Sequence, residues 1–295
     1  MGVMLIPPEE AQDLAEVLSP DAADRMKNEG VYTLGDFNSA FQCTGCIQFT
    51  TEEEEGERSG RLLYLYVRPA FRRDGIAADL LAEMEETFYN NGIKKARFLL
   101  PEDSVLVDHL ESYGFETTLP EDRGFVYLSD YSVENERLLI HMNRVKPLSS
   151  YSSRDRGLLF DRMEVADPVA RSMCNPKASG VISSDSGEEA LLLTAEDHGQ
   201  PVVSLYGSFG DHTVGAPFAL ASFALISVKK EYPDAETLLI RDGRFIQCIR
   251  NNLGDVVTVV PAVTGELMTE HPAIGNPDGP EDDVELPEGL EEDHE

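Results

Sequence analysis

The chain has 295 residues, 41% apolar and 27% charged, a composition that packs cores and leaves room for one large domain or two ordinary ones. Acids outnumber bases 55 to 24, for a net charge of −31. A surface this negative repels phosphate backbones and anionic headgroups, so nucleic acids and membrane surfaces are not among the expected partners.

The charge is concentrated at one end. Residues 266–295 hold twelve acids and no Lys or Arg, which leaves −19 on the first 265 residues. Beyond residue 270, Pro272, Pro277, Pro280 and Pro287 stand among few large apolar side chains. Such a segment buries too little to offset the entropy of ordering, and 271–295 read as a disordered acidic tail. The opening Met1-Gly2-Val3-Met4-Leu5-Ile6 lacks a basic start and has too short an apolar run for a secretory signal. Phe218 to Val228 falls short of a membrane span. Four cysteines without framework spacing suit a reducing compartment, and the expected location is cytoplasmic.

In chain order, a short strand at Met4 to Ile6 leads into a helix from Pro8 to Leu18, with Leu14, Val17 and Leu18 on one face. A second short helix starts at Pro20. Extended runs follow at Tyr32 to Phe37 and Phe41 to Thr50, then a highly acidic, solvated hairpin loop from Glu52 to Gly60. Leu62 to Val67 is apolar and aromatic, a strand expected to be buried on both faces. A loop from Arg68 to Gly75 opens a helix from Ile76 to Asn90, whose Ala77, Leu81, Met84 and Phe88 share a face and which Gly92 stops. A buried strand, Ala96 to Leu100, precedes a helix from Asp103 or Ser104 to Tyr113. Strands near Phe115 to Thr118 and Phe125 to Ser129 complete a mixed α/β unit.

The second half repeats this plan. Shifted by 140, residues 61–115 lie on 201–255 without a gap, matching Leu65-Tyr66 to Leu205-Tyr206, Gly75 to Gly215, Leu80 to Leu220, Leu99 to Leu239 and Gly114 to Gly254. The element pattern carries the argument further than the identities do: strand Val202 to Tyr206, helix Pro217 to Lys230, strand Thr237 to Ile240 and helix Arg244 to Leu253 fall beneath their counterparts. The expected organisation is one copy at 1–132, a second at 136–270 and the tail at 271–295.

The most informative stretch is Val67-Arg68-Pro69-Ala70-Phe71-Arg72-Arg73-Asp74-Gly75-Ile76-Ala77. A strand ends, Gly75 permits a sharp turn, and a helix begins on small residues. Free N–H groups and the positive end of the helix dipole converge there, and Arg72 and Arg73 add charge, which together make a pyrophosphate cradle.

These residues resemble the signature of the GNAT superfamily, the acyl-CoA-dependent N-acyltransferases: a strand ending Val-x-Pro, an aromatic residue, then Arg/Gln-x-x-Gly-x-Gly/Ala. Val67-Arg68-Pro69, Phe71 and Arg72-x-x-Gly75-x-Ala77 supply each part. The resemblance covers about residues 1–130 and implies two tandem GNAT-like α/β folds with mixed sheets, the second degenerate. It implies acetyl-CoA as co-substrate, with its pyrophosphate on Arg72, Arg73, Gly75, Ile76 and Ala77 and its thioester carbonyl near the backbone of Val67. It also implies that the Val67 strand splays from the strand Ala96 to Leu100, leaving a slot for the pantetheine arm.

The resemblance weakens at the chemistry. The family takes its acid from a Tyr four residues before a Gly-Phe; here Gly114-Phe115 is present but the earlier position is Leu110, and the family's Asn falls on Asp103. Tyr113, one turn further on, is the candidate substitute acid, with packing as its alternative role. A base could be Asp103, Asp108, His109, Glu52 or water. In the second copy, His212 and Thr213 stand opposite Arg72 and Arg73, and Pro217 replaces Ala77, so a structural or substrate-wall role is expected there.

Cys43-x-x-Cys46 lies in an alternating run that would point the two thiols to opposite faces, with no second pair or His pair nearby, so no metal is expected. The expected function is acetyl transfer to a primary amine on a small molecule or peptide, the negative body tilting the acceptor towards cations. The competing class is a catalytically inactive acyl-CoA-binding or protein-interaction module, which Leu110 favours.

Overall fold

Turn chemistry and burial periodicity account for most of the elements in the computed structural model, which describes residues 2–54, 57–139, 142–166, 168–184, 187–207 and 216–269. In the first half these are β1 (Val3–Leu5), α1 (Pro20–Arg25), β2 (Val31–Phe37), β3 (Cys43–Glu54), β4 (Glu57–Val67), α2 (Ile76–Asn90), β5 (Lys95–Pro101), α3 (Val105–Tyr113), β6 (Glu116–Thr118) and β7 (Gly124–Tyr127). The second half adds α4 (Glu136–Leu139), β8 (Lys146–Pro147), α5 (Ser153–Arg162), α6 (Pro168–Met173), β9 (Gly180–Ser184), β10 (Gly187–Asp197) and β11 (Gln200–Gly207). It closes with α7 (Ala216–Glu231), β12 (Thr237–Ile240), α8 (Gly243–Leu253) and β13 (Val259–Met268). The acidic segment 271–295 and the second-copy loop carrying His212 and Thr213 lie outside the described residues.

Two expectations need correction. The helix expected over Pro8 to Leu18 is a 3-10 helix, Pro8–Leu14, and the chain breaks before α1 because Ser19 precedes Pro20 and caps α1, its hydroxyl accepting from the Ala22 N–H at 3.2 Å. The acidic stretch read as a loop is largely strand: Glu52, Glu53 and Glu54 pair with Ser59, Arg58 and Glu57. A hairpin outside the core tolerates charge on its faces, so charge density hid how far its strands extend.

All the strands among the described residues join one mixed sheet in the order β1-β2-β3-β4-β5-β13-β7-β12-β11-β10-β9-β8, with β6 also pairing β13. The sequence boundary between the copies is not a break in this sheet. β13, from the second half, runs antiparallel beside β5 from Ala262↔Pro101 to Met268↔Lys95 and also pairs β6. In return β7, from the first half, pairs β12 from Thr237↔Tyr127 to Ile240↔Gly124. Under the 140-residue shift β13 is the counterpart of β7, so the two copies exchange their last strands.

α2 and α3 cover one face of the first half, burying Leu80, Met84, Phe88 and Leu110 against Ile47, Phe98 and Phe115. α7, apolar nearly all round as its sequence implies, is enclosed with α8 against Val203, Leu205 and Leu238. Val259 and Val263, four apart and so on one face of β13, belong to these two cores respectively, which places both helix pairs on the same side of the sheet. On the other side, α1 and the 3-10 helix bury Leu14, Val17 and Leu18 against Cys43 and Cys46. Cys43 and Cys46 thus share a face, contrary to simple alternation. Asp36 pairs Gly45 while Phe37 pairs Cys43, so Thr44 bulges and shifts the phase by one. Both thiols are free, and burial pushes Cys43 up to about 11 and Cys46 higher still. No helix among the described residues is long and apolar enough to cross a membrane.

Candidate functional site

A slot opens between β4 and β5. The two strands run parallel and pair only at Gly60↔Ala96 and Arg61↔Arg97; from Leu62 onward they part. The cause lies in β4. Its register against β3 steps from Phe49↔Leu62 to Gln48↔Tyr64, leaving Leu63 as a bulge that bends the strand away, while β5 stays held by β13. At the far end of β4 the Arg68 N–H donates to the Thr44 carbonyl on β3 at 2.9 Å. Backbone groups alternate between the edges of a strand, so the Val67 N–H and C=O turn towards the slot. The Val67 carbonyl there accepts from Arg72 Nε at 3.1 Å.

The loop beyond Val67 folds as its residues require. Pro69–Phe71 make a single 3-10 turn, Phe71 packs on the α2 core, and the chain reverses through two left-handed residues, Arg73 at φ 76° and Gly75 at φ 85°. Glycine takes this conformation freely, whereas a non-glycine residue held there costs about 1–3 kcal/mol, a strain the surrounding structure must offset. α2 then starts at Ile76. The Asp79 N–H donates to the Gly75 carbonyl at 3.1 Å, while the N–H groups of Ile76, Ala77 and Ala78 have no backbone acceptor among the described residues. A Cβ on Gly75 would meet nothing within 4 Å, so the chain itself leaves the turn open. Arg72 and Arg73 are exposed beside it, Ile76 is buried as an anchor, and Ala77 is half-buried. Gly45 lets the helix start approach the sheet, since a Cβ there would lie 3.1 Å from Ile76 Cγ2. Val67, Arg72, Arg73, Gly75, Ile76 and Ala77 are thus gathered at one mouth, and their free donors and two guanidinium groups fit a diphosphate.

The positions around the chemistry fall differently. Leu110 is fully buried in the α2–α3 core. Tyr113, at the far end of α3, donates its hydroxyl to Glu85 Oε2 on α2 at 3.1 Å. Burial, then that carboxylate, hold the phenol above its ordinary range. Tyr113 borders a cavity of about 420 Å³ lined by Val3, Asp36, Asp79 and Glu83, between β1, β2 and α2. His109 and Asp108 are exposed on α3. Asp103, two residues beyond β5, accepts from the Tyr127 hydroxyl on β7 at 2.9 Å, and burial together with this bond pushes Tyr127 up to about 12.

Glu52 is an ion-pair partner rather than part of a solvated loop tip. It accepts from Arg61 Nη1 at 2.7 Å, and the same guanidinium reaches Asp197 Oδ2 at 2.8 Å. Glu52, Asp197 and His198 bring ligand atoms within 4.8 Å of one another. Arg61 and Arg241 supply positive charge to these carboxylates. Sequence reasoning missed this network, because no local signal links residues 136 positions apart. The one readable part was the turn Asp197-His198-Gly199-Gln200 between two apolar runs.

Comparison with known proteins bears on the fold. Residues 6–129 match the acetyltransferase (GNAT) domain model. A tandem GNAT protein from the clavulanic acid biosynthesis pathway has a similar fold, with a TM-score of 0.53 at 11% identity over 91% of this chain and 98% of that one. So does the GCN5-related glucosamine N-acetyltransferase region of a fungal multi-domain GH3 beta-N-acetylglucosaminidase, with a TM-score of 0.53 at 11% identity over 90% of this chain. This chain spans 38% of that longer protein. No curated protein sequence matches. Residues 6–129 thus match a GNAT acetyltransferase domain, and the chain as a whole has a fold similar to that of a tandem GNAT protein.

Proposed function

We propose that the protein is an acetyl-CoA-dependent N-acetyltransferase acting on a primary amine. The observation that carries the reading is the slot: β4 and β5 stop pairing after Arg61, and the opening leads to a helix start with three unaccepted N–H groups and two exposed arginines. Acetyl-CoA, when bound, supplies the activated carbonyl. Arg72, Arg73 and the N–H groups from Gly75 to Ala77 would hold its diphosphate, and the Val67 N–H would donate to the carbonyl oxygen as negative charge develops there. The negative body favours a cationic acceptor.

Leu110 sets the expected rate. A positioned general acid contributes about 10²–10⁴-fold, so turnover in its absence rests on positioning and oxyanion stabilisation. The same residue supports a second reading, a non-catalytic acyl-CoA-binding module. Two measurements separate them. Acetyl-CoA is expected to raise the melting temperature of the wild type but not of the Arg72→Ala, Arg73→Ala double variant; equal shifts in both refute the placement. Free CoA release with some member of an amine panel supports catalysis, and binding without turnover across the panel supports the module.

A further inference from the structure

Both walls of the slot are tied to the second half. β5 is paired with β13 along its whole length, Lys95 to Pro101. β4 is tied through Arg61, the last residue at which it still pairs β5. The Arg61 side chain is only 15% exposed and is gripped by Glu52 from the neighbouring β3 and by Asp197 from the β10–β11 turn. Arg241, just past β12, donates Nη2 to the same Asp197 oxygen at 3.0 Å, and His198 Nε2 lies 3.9 Å from both Glu52 Oε1 and Asp197 Oδ1.

The turn that carries Asp197 is itself well defined. His198 at φ 49° and Gly199 at φ 83° are both left-handed, the two-residue hairpin geometry whose twist matches its strands. On its other side the turn rests on α1, where a Cβ on Gly199 would lie 3.4 Å from Arg25 Cγ. The hairpin tip is therefore wedged between α1 and the root of the slot. Burial acts to weaken both charges, but Asp197 and Glu52 raise Arg61 above its ordinary value, and Arg61 and Arg241 hold Asp197 below the ordinary carboxylate range. The pair is ionised in the folded protein.

We infer that Asp197 is a positioning residue for the slot: from the tip of the β10–β11 hairpin it fixes Arg61 and so sets where β4 departs from β5. The inference rests on the reading of the slot as the acyl-CoA site, and it gives the second copy a role that needs no ligand of its own. Asp197 lies outside the Arg72 to Ala77 cradle and acts only through Arg61.

The test uses full-length wild type, Asp197→Ala, Asp197→Asn in case the alanine variant folds poorly, and Asp197→Glu as the conservative rescue. Amide exchange of Leu62 to Val67 without ligand and the Kd for CoA are measured in each. Removing the charge is expected to speed exchange in that segment and to weaken CoA binding, each about 2- to 30-fold, with Asp197→Glu recovering part of both. Tyr131→Phe, which removes a hydroxyl bond to the Leu225 carbonyl within the second-half core, is expected to lower Tm and leave the Kd unchanged. Unchanged exchange overturns the inference, as does faster exchange with unchanged Kd. A wild type that does not bind CoA, with β4 still loosened in the variants, instead refutes the acyl-CoA reading and leaves the tether standing.

Discussion

Gly60 offers a sharp test of how α2 is seated on the slot strands. A Cβ added there would lie 2.2 Å from Phe88 Cζ and 2.3 Å from Phe88 Cε2, where ordinary contact begins near 3.4 Å. The ring must move by roughly 1 Å to admit it. Phe88 is 1% exposed and packs edge-on against Phe49, with centroids 5.1 Å apart at 78°, so moving the ring disturbs that packing. Overpacking of this kind costs about 1–3 kcal/mol. For a chain of this size each kcal/mol lowers Tm by about 2–4 °C. The informative experiment is a double-mutant cycle in urea with Gly60→Ala and Phe88→Leu. Phe88→Leu alone destabilises by less than the ~3–5 kcal/mol of a Phe→Ala change, and in its background Gly60→Ala is expected to cost markedly less. Equal cost in both backgrounds would show that the ring is not what excludes a side chain at Gly60 and would refute the packing argument.

The strand exchange makes β13 necessary to the first half, so a chain ending at Gly254 is expected to lose cooperative urea unfolding. A chain ending at residue 270 should melt as the full chain does; a sharp transition in the shorter one would contradict the exchange. The Asp197 network predicts a pH dependence with a definite sign. Its folded pKa is lowered, so its stabilisation is complete above the unfolded value of about 3.9 and is lost as pH falls through the folded value. The Tm difference between wild type and Asp197→Asn should therefore be constant above about pH 5 and shrink towards pH 3, and a difference that grows on acidification would reverse the assigned sign.

The parts legible in the sequence are those whose cause is local. α2 begins at Ile76 and ends at Asn90 as its pattern predicts, because Gly75 opens it and the Asn91-Gly92 pair closes it. Thr237 to Ile240 likewise has the predicted limits. The turn from Val67 to Ala77 was readable for the same reason, since its residues are consecutive. The slot root was not. Arg61 looks like one more charge beside an acidic run until Asp197 arrives from the other half. Cys43 and Cys46 were assigned opposite faces because alternation assumes an unbroken ladder, and a bulge at Thr44 depends on its partner strand as much as on its own residues.

The exchange itself could not have been read from either copy. β7 and β13 occupy corresponding places, so each carries the pattern that suits the vacant edge in both sheets, and backbone hydrogen bonds make no distinction between them. What decides is the joining of the copies. With β13 laid between β5 and β7, the two sheets become one, and Val259 and Val263 on a single strand enter both helix-covered cores. This also explains how a second copy can lack the arginine pair of the cradle and still matter. A phosphate loop depends on charged side chains as well as on its helix-start N–H groups, and it is weakened when the arginines change. A strand acts chiefly through its backbone, and β13 holds the wall of the slot through ladder pairing that substitutions opposite Arg72 and Arg73 do not touch.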